Sequence, residues 1–256
     1  MGIVARHSGK VAIRVEGLHK SFGENRVLRG IDLDFPVGTT TVILGGSGSG
    51  KSVLMKHLIG LLKPDQGRVL VEEQDLALLS SRDLSLFRMR FGMVFQWAAL
   101  FDSMTVGENV AFPLHEHHRE MPEEEVRRRV EARLELFGLG GTQSKSPAEL
   151  SGGMRKRVGL ARATIMEPRI VLYDEPTTGL DPITTESVDD MIIRAKEKLQ
   201  ATSVVISHDV GSAFHVADYI AFLYEGEIVA YGPPAEVRKS PHKFVSEFLA
   251  TWFART

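Results

Sequence analysis

The stretch "TVILGGSGSGKSVLMKHLIGLL" (41–62) constrains the fold of this chain more tightly than any other. It reads as a short apolar strand, a glycine-rich turn and an apolar helix, in that order. The turn meets the pattern Gly-x-x-x-x-Gly-Lys-Ser/Thr through Gly45, Gly50, Lys51 and Ser52. In that setting backbone N–H groups curl around a β-phosphate, Lys51 reaches the β- and γ-oxygens, and the Ser52 hydroxyl ligates Mg²⁺. The candidate phosphate loop is Gly45, Gly46, Ser47, Gly48, Ser49, Gly50, Lys51, Ser52 and Val53. A strand feeding such a loop predicts an α/β fold with its ligand at the carboxyl edge of a sheet.

The flanking patterns fill in that fold. "IDLDF" (31–35) puts Ile31, Leu33 and Phe35 on one face and Asp32 and Asp34 on the other, which predicts a half-buried antiparallel strand. "VAIRV" (11–15) and "TTTVIL" (39–44) read the same way, with turns at Gly23-Glu24-Asn25 and Pro36-Val37-Gly38. "MVF" (93–95), "IVLY" (170–173) and "VVI" (204–206) are short and continuously apolar, as in a parallel sheet buried on both faces. "YIAFLYEGEIVAYG" (219–232) predicts a hairpin around Glu225-Gly226. A charged helix between Pro122 and Gly138 aligns Val126, Val130, Leu134 and Phe137 on one stripe, so residues from about 97 to 165 read as a helical insertion. The expectation is one α/β domain over residues 1–256, with a small helical lobe and a helical tail from about 241 to 256.

Three strand ends add chemistry. "IVLYDEP" (170–176) closes a buried strand with Asp174, suited to hold Mg²⁺, and then Glu175, suited to polarise an attacking water. His208 ends "VVISH" and could contact a γ-phosphate, while Gln96 ends "GMVFQ" and could reach Mg²⁺ or water. Taken singly, each is as readily a polar strand exit; together they converge on one sheet edge. A second anion-binding helix start lies at "ELSGGMRKRVGLARA" (149–163), where a Ser and two glycines open a helix. Within a chain that already has one complete phosphate loop it is redundant, and it makes sense if it caps the γ-phosphate bound by another chain.

With these motifs in hand, the sequence resembles the nucleotide-binding subunits of ABC transporters. The Walker A motif is "GGSGSGKS", the Q-loop Gln96, the signature "LSGGM", the Walker B "IVLYDE", the D-loop "GLD" (179–181) and the switch His208, in the family's order. The resemblance implies a P-loop NTPase fold of the ABC ATPase type: a mixed sheet core with an N-terminal antiparallel β subdomain and a helical lobe. It implies ATP and Mg²⁺ as ligands, with Lys51, Glu175 and His208 in catalysis and Ser52, Gln96 and Asp174 toward the metal. It implies a homodimer in which Ser151, Gly153 and Met154 of one chain face the ATP of the other. Met154 stands where the family commonly has Gln. Phe22, in "KSFGENRVL", matches the aromatic on which such proteins stack adenine. Residues 93–118 and 149–186 are further similar to ATPases of Mla- or MCE-associated lipid transport systems. That narrower resemblance implies a permease subunit, an accessory cytoplasmic subunit, an MCE-type lipid-binding protein, and a place at the cytoplasmic face of the inner membrane. Trp97, Leu100, Phe101 and Met104, directly after Gln96, are the candidate groove for a permease helix.

Other readings are weaker. Nucleic-acid-acting ABC ATPases resemble paired cassettes or a head split by a coiled coil, whereas this chain has one cassette, no heptad run and a formal charge of −2. No Asn-Lys-x-Asp guanine motif is present. "HEHHRE" (115–120) lacks His-Glu-x-x-His spacing, and with no cysteine in the chain it reads as a solvated loop after a Pro113 turn rather than a zinc site. The N-terminal stretch has no apolar core of signal-peptide length, and no apolar run approaches the ~18 residues of a spanning helix. In the tail, Phe244, Phe248 and Trp252 recur every four residues beside Val245, Leu249 and Phe253. That stripe predicts packing against its own domain or, as the sharper reading, against a partner chain or accessory subunit. His242, Lys243 and Arg255 beside Glu247 make a poor membrane-binding face.

Overall fold

Thr40–Leu44 is buried at all five positions, and the architecture is built around it. The structure, a computed structural model, describes residues 2–253. In chain order the strands are β1 (Val4–Ala5), β2 (Val11–Phe22), β3 (Asn25–Pro36), β4 (Thr40–Leu44), β5 (Gln66–Val71), β6 (Gln74–Asp75), β7 (Phe91–Val94), β8 (Ile170–Asp174), β9 (Thr202–Ser207), β10 (Tyr219–Tyr224) and β11 (Glu227–Gly232). The helices are α1 (Lys51–Leu58), α2 (Ser81–Arg88), α3 (Val106–His117), α4 (Glu123–Leu136), α5 (Gly152–Thr164), α6 (Pro182–Leu199), α7 (Val210–Val216), α8 (Pro234–Val237) and α9 (Lys243–Phe253).

Two sheets result. One has the order β11-β10-β4-β9-β8-β7, parallel except for the β10–β11 hairpin. The other has the order β1-β3-β2-β5-β6 and is antiparallel apart from β1 on β3. The expectation of an antiparallel, half-buried strand at 39–44 is corrected here: β4 runs parallel between β10 and β9. Its alternation survives, but both faces are covered. Ile43 packs toward the five-stranded sheet and α1, whereas Val42 and Leu44 pack toward the helices of the opposite layer. A strand with cores on both sides shows no polar face.

Asp34 corrects the reading of "IDLDF" in the same way. Ile31, Leu33 and Phe35 are fully buried, each worth on the order of 2 kcal/mol of transfer free energy. Asp34, on the other face, is 0% exposed. Its carboxylate accepts hydrogen bonds from Arg6 Nη1 and Arg14 Nε, both at 3.0 Å, and from the His7 amide at 3.1 Å. Arg14 reaches it because the two residues are register partners across β2 and β3. Burial alone would raise the Asp34 pKa; the hydrogen bonds from Arg14, His7 and Arg6 outweigh it and hold the group below the usual carboxylate value.

The helices α3, α4 and α5 lie in the chain between β7 and β8, with Val126, Val130, Leu134 and Phe137 buried as one stripe. Pro113 sits inside α3, so His115 to His117 form its last turn rather than a loop, while His118 to Glu120 do form the solvated turn that follows. The proline forgoes the bond to the carbonyl four residues back and its ring crowds that carbonyl, while a capping box of Thr105 and Glu108 secures the helix start. At the other end of the chain α9 packs on its own sheet. Val245 and Leu249 are buried, Phe244 stacks on Tyr224 at 3.8 Å between centroids, and Phe248 meets Phe222 edge-on. Arg255 and the last part of the tail lie outside the described residues.

Replacing Asp34 with Asn removes the countercharge that Arg14 pairs with and leaves Arg6 paired with Asp32 alone. Because both arginines are partly solvated, the expected loss is about 2 kcal/mol at pH 7, measured by denaturant unfolding. The folded pKa is depressed, so the carboxylate's contribution is present above its unfolded value near 3.9 and is lost as pH falls through the lower folded value. The gap between parent and Asp34→Asn should therefore close on acidification below about pH 4.

Candidate nucleotide site

The strand register builds the site. Leu44 pairs with Ser207, Asp174 with Ile206 and Val94 with Tyr173, so β4, β9, β8 and β7 end at one level. The residues that follow, Gly45 to Ser52, His208, Glu175 and Gln96, emerge at that edge. A cavity of about 870 Å³ lies there, lined by Gly46, Ser47, Gly48, Gly50, Lys51, Ser52, Val53, Gln96, Asp174, Glu175 and His208. Its size is within the range of sites that take a drug-sized or nucleotide ligand.

The loop geometry suits an anion. Gly50 precedes α1 with φ 107°, a conformation costly for any residue with a Cβ, and no side chain caps the helix. The first-turn N–H groups of α1 thus face the cavity with the positive end of the helix dipole. Gly45 is held close to β10, where an added Cβ would lie 2.3 Å from the Leu223 carbonyl oxygen. Ser49 Oγ is buried without a protein hydrogen-bond partner, and Ser49 does not line the cavity. Lys51 is buried and donates to the carbonyls of Gly45 at 2.8 Å and Gly46 at 2.9 Å. Burial lowers its pKa, and the nearby charges of Glu175 and Asp174 push back.

Two carboxylates face this lysine. Lys51 Nζ lies 3.9 Å from Glu175 Oε1. The other oxygen, Glu175 Oε2, is 2.7 Å from His208 Nδ1 and accepts from Thr178 Oγ1 at 3.1 Å. Glu175 itself has φ 50° and its amide donates to Ile206 on β9, so the turn after β8 is bent to bring the carboxylate inward. Asp174 is raised above the ordinary carboxylate pKa by burial first and then by Glu175. A cation at this point would relieve both effects. The donors Ser52, Asp174 and Gln96 are hard oxygens, which fit Mg²⁺ held partly by a nucleotide's phosphates. Among the described residues no cluster of three His, Cys, Asp or Glu side chains forms a metal cage, and such a phosphate-shared site requires none.

Other sequence candidates lie away from this cavity. Ser151 caps α5, its Oγ accepting from the Met154 amide at 3.2 Å, which leaves the hydroxyl proton for a further acceptor. Gly153 approaches the start of α6, where a Cβ would lie 2.7 Å from Thr184. Neither these residues nor Met154 lines the cavity of their own chain. Phe22 stands half-exposed at the tip of the β2–β3 hairpin, outside the cavity wall, and Val27 of the same hairpin lines it instead. Val27, Thr178 and Phe248 are lining residues that sequence reasoning missed. Only Thr178 left a local signal, three residues after Glu175.

A second, apolar groove of about 530 Å³ opens beside β7 and α3, lined by Met89, Met93, Phe95, Phe101, Phe112 and Met166 among others. Of the four residues expected in a groove, Phe101 lines it. Leu100 packs against the core, and Trp97 is 78% exposed next to Ala98 and Ala99, both with positive φ.

Comparison with known proteins agrees with this geometry. The family model described as ABC transporter matches residues 28–178. A probable ribonucleotide transport ATP-binding protein, mkl, of Mycobacterium leprae is 44% identical over 239 residues, covering 93% of this chain and 69% of that protein. The chain spans about two thirds of the length of the mycobacterial relatives it matches. The intermembrane phospholipid transport system ATP-binding protein MlaF of Haemophilus influenzae is 39% identical over 237 residues, covering 93% of this chain and 89% of that protein. Among solved structures, the dimeric post-hydrolysis state of the ATP-binding cassette MJ0796 with ADP and Pi superposes with a TM-score of 0.78. It is 32% identical and covers 86% of this chain and 98% of that one.

Gly45→Ala forces the phosphate loop off β10, since the Leu223 carbonyl is main chain and cannot give way. We expect ATP affinity to fall about tenfold or more with the circular dichroism spectrum unchanged, as read by titration with a fluorescent ATP analogue.

Proposed function

This chain belongs to the ABC transporter family as an ATP-hydrolysing, ATP-binding subunit, and from that premise we propose that it powers lipid transport across a bacterial envelope. The observation that carries the ATPase chemistry is the meeting of Lys51, Glu175 and His208 around one cavity at the end of an uncapped helix. Lys51 would swing from the Gly45 and Gly46 carbonyls to the β/γ oxygens of ATP. Glu175 would take the proton of the attacking water as the water oxygen bonds to the γ-phosphorus and the bond to ADP breaks. Thr178 and His208 hold its Oε2 in place, and His208 is near enough to report the γ-phosphate. Ser52, Asp174 and Gln96 would hold Mg²⁺, which supplies positive charge on the phosphate oxygens. Phe22 would stack on adenine from the hairpin tip.

The relatives imply a dimer and a membrane permease as partners. In the shared-site reading, Ser151 and Gly153 of one protomer, with Met154 beside them, cap the ATP held by the other. Their distance from the cavity of their own chain supports this. No helix among the described residues is long and apolar enough to cross a membrane. A peripheral position on the cytoplasmic face of the inner membrane, with the permease, an accessory subunit and an MCE-type lipid-binding protein, is the arrangement we propose. The lipid assignment rests on the MlaF relative, matched over 89% of its length. The mycobacterial relative's name points instead to ribonucleotides. Reconstituting the chain with its co-purified membrane partner, and assaying labelled phospholipid against labelled ribonucleotide, separates the two; ATP-dependent movement of ribonucleotide alone would overturn the lipid reading.

Two further outcomes are expected. Glu175→Gln should bind ATP as the parent does while turnover slows by about 10²–10⁴-fold, measured by phosphate release; near-parental turnover would remove Glu175 from the role of base. The apolar groove offers anchors for an amphipathic permease helix. Phe101→Glu should therefore lower transport in the reconstituted complex while the isolated subunit keeps its melting temperature; a parallel loss of folding would assign Phe101 to packing.

A further inference from the structure

α5 begins with the signature residues, and its fifth residue, five after the capping Ser151, is Lys156. The side chain is 9% exposed, and among the described residues it has no carboxylate within ion-pair distance. Its ammonium instead donates to two main-chain carbonyls, Pro176 and Thr178, both at 2.7 Å. Burying a charge is costly unless hydrogen bonds and a nearby countercharge offset it. Here the carbonyls supply the first, and the second is Glu175, whose charge raises the Lys156 pKa against the lowering effect of burial.

Those two carbonyls belong to the turn that presents Glu175. The Thr178 amide donates to the Glu175 carbonyl at 3.3 Å, and the Thr178 hydroxyl donates to Glu175 Oε2 at 3.1 Å. The turn starts from a residue in a left-handed conformation, φ 50°, which surrounding contacts must hold in place. Lys156 grips it from α5. We propose that Lys156 is a positioning residue for Glu175, fixing the catalytic carboxylate of its own chain from the helix whose first turn serves the partner's ATP. This inference rests on the base role of Glu175 and on the shared-site reading.

The test uses the dimer in its permease complex, assembled from two differently tagged copies. Protomer two carries Lys51→Ala, so only the site on the phosphate loop of protomer one turns over. With Lys156→Met added to protomer one, kcat should fall about tenfold while KM for ATP stays within about twofold. The same change in protomer two should alter kcat by less than about twofold. Lys156→Gln in protomer one keeps an N–H donor one bond shorter and should recover most of the loss; should the Met variant not fold, this variant carries the comparison and kcat should drop about threefold, again only from protomer one. Equal losses from both placements, a change confined to KM, or no change from either would overturn the proposal. Ser151→Arg in each protomer in turn tests the underlying reading separately: it should stop turnover from protomer two and spare it from protomer one. If that asymmetry were missing, the shared-site reading would fail whatever the Lys156 variants show.

Discussion

The parallel register of β4, β9 and β8 is the constraint on which everything else depends. Thr40 to Leu44 pair rung by rung with Ser203 to Ser207, and β9 in turn pairs with Ile170 to Asp174. Because side chains alternate with period two, a slip of one residue would reverse which face each strand presents to two different cores. It would also move Glu175 or His208 by more than 3 Å relative to the phosphate loop. The burial of both faces of β4 therefore does double duty. It holds the sheet together through apolar packing, and it fixes where three chemically distinct loops meet.

At that meeting point the balance of charge sets the chemistry. Two acidic groups, Asp174 and Glu175, are close enough that one raises the pKa of the other, and both face the buried ammonium of Lys51. In a half-desolvated cleft such charges interact more strongly than in water, so each is placed by its neighbours rather than by solvent. Lys51 spends its hydrogen bonds on loop carbonyls, and Glu175 spends one oxygen on Thr178 and His208. Binding of a polyphosphate with its metal would exchange these internal contacts for contacts with the ligand, at little reorganisation cost.

Much of the site was legible because it is local in sequence. The phosphate loop, the carboxylates after β8 and the histidine after β9 each sit within a few residues of a strand or helix end, where pattern and chemistry coincide. What was not legible depends on partners far along the chain. Asp34 looked solvent-facing because alternation alone cannot show that Arg6 and Arg14 arrive to bury it. "TTTVIL" resembled a half-buried strand because its threonines, Thr40 and Thr41, are polar yet fully buried. Pro113 resembled a turn, although a proline well inside a helix with a strong N-terminal cap is tolerated. Val27 and Phe248 reach the cavity from a hairpin and from α9, over two hundred residues apart in the chain, so no local motif marks them.

The central claim is that the nucleotide site is completed by the neighbouring chain. The absence of cysteine makes a direct measurement possible. Ser47 is exposed in the phosphate loop, and a side chain at Gly152 would meet no atom within 4 Å, so both positions accept a cysteine. Chains carrying Ser47→Cys are mixed with chains carrying Gly152→Cys, each in the Glu175→Gln background, and oxidised with and without ATP and Mg²⁺. The account predicts a disulfide-linked heterodimer that forms rapidly only with nucleotide, and none from either chain alone. Failure to cross-link in saturating ATP, or cross-linking indifferent to ATP, would contradict it.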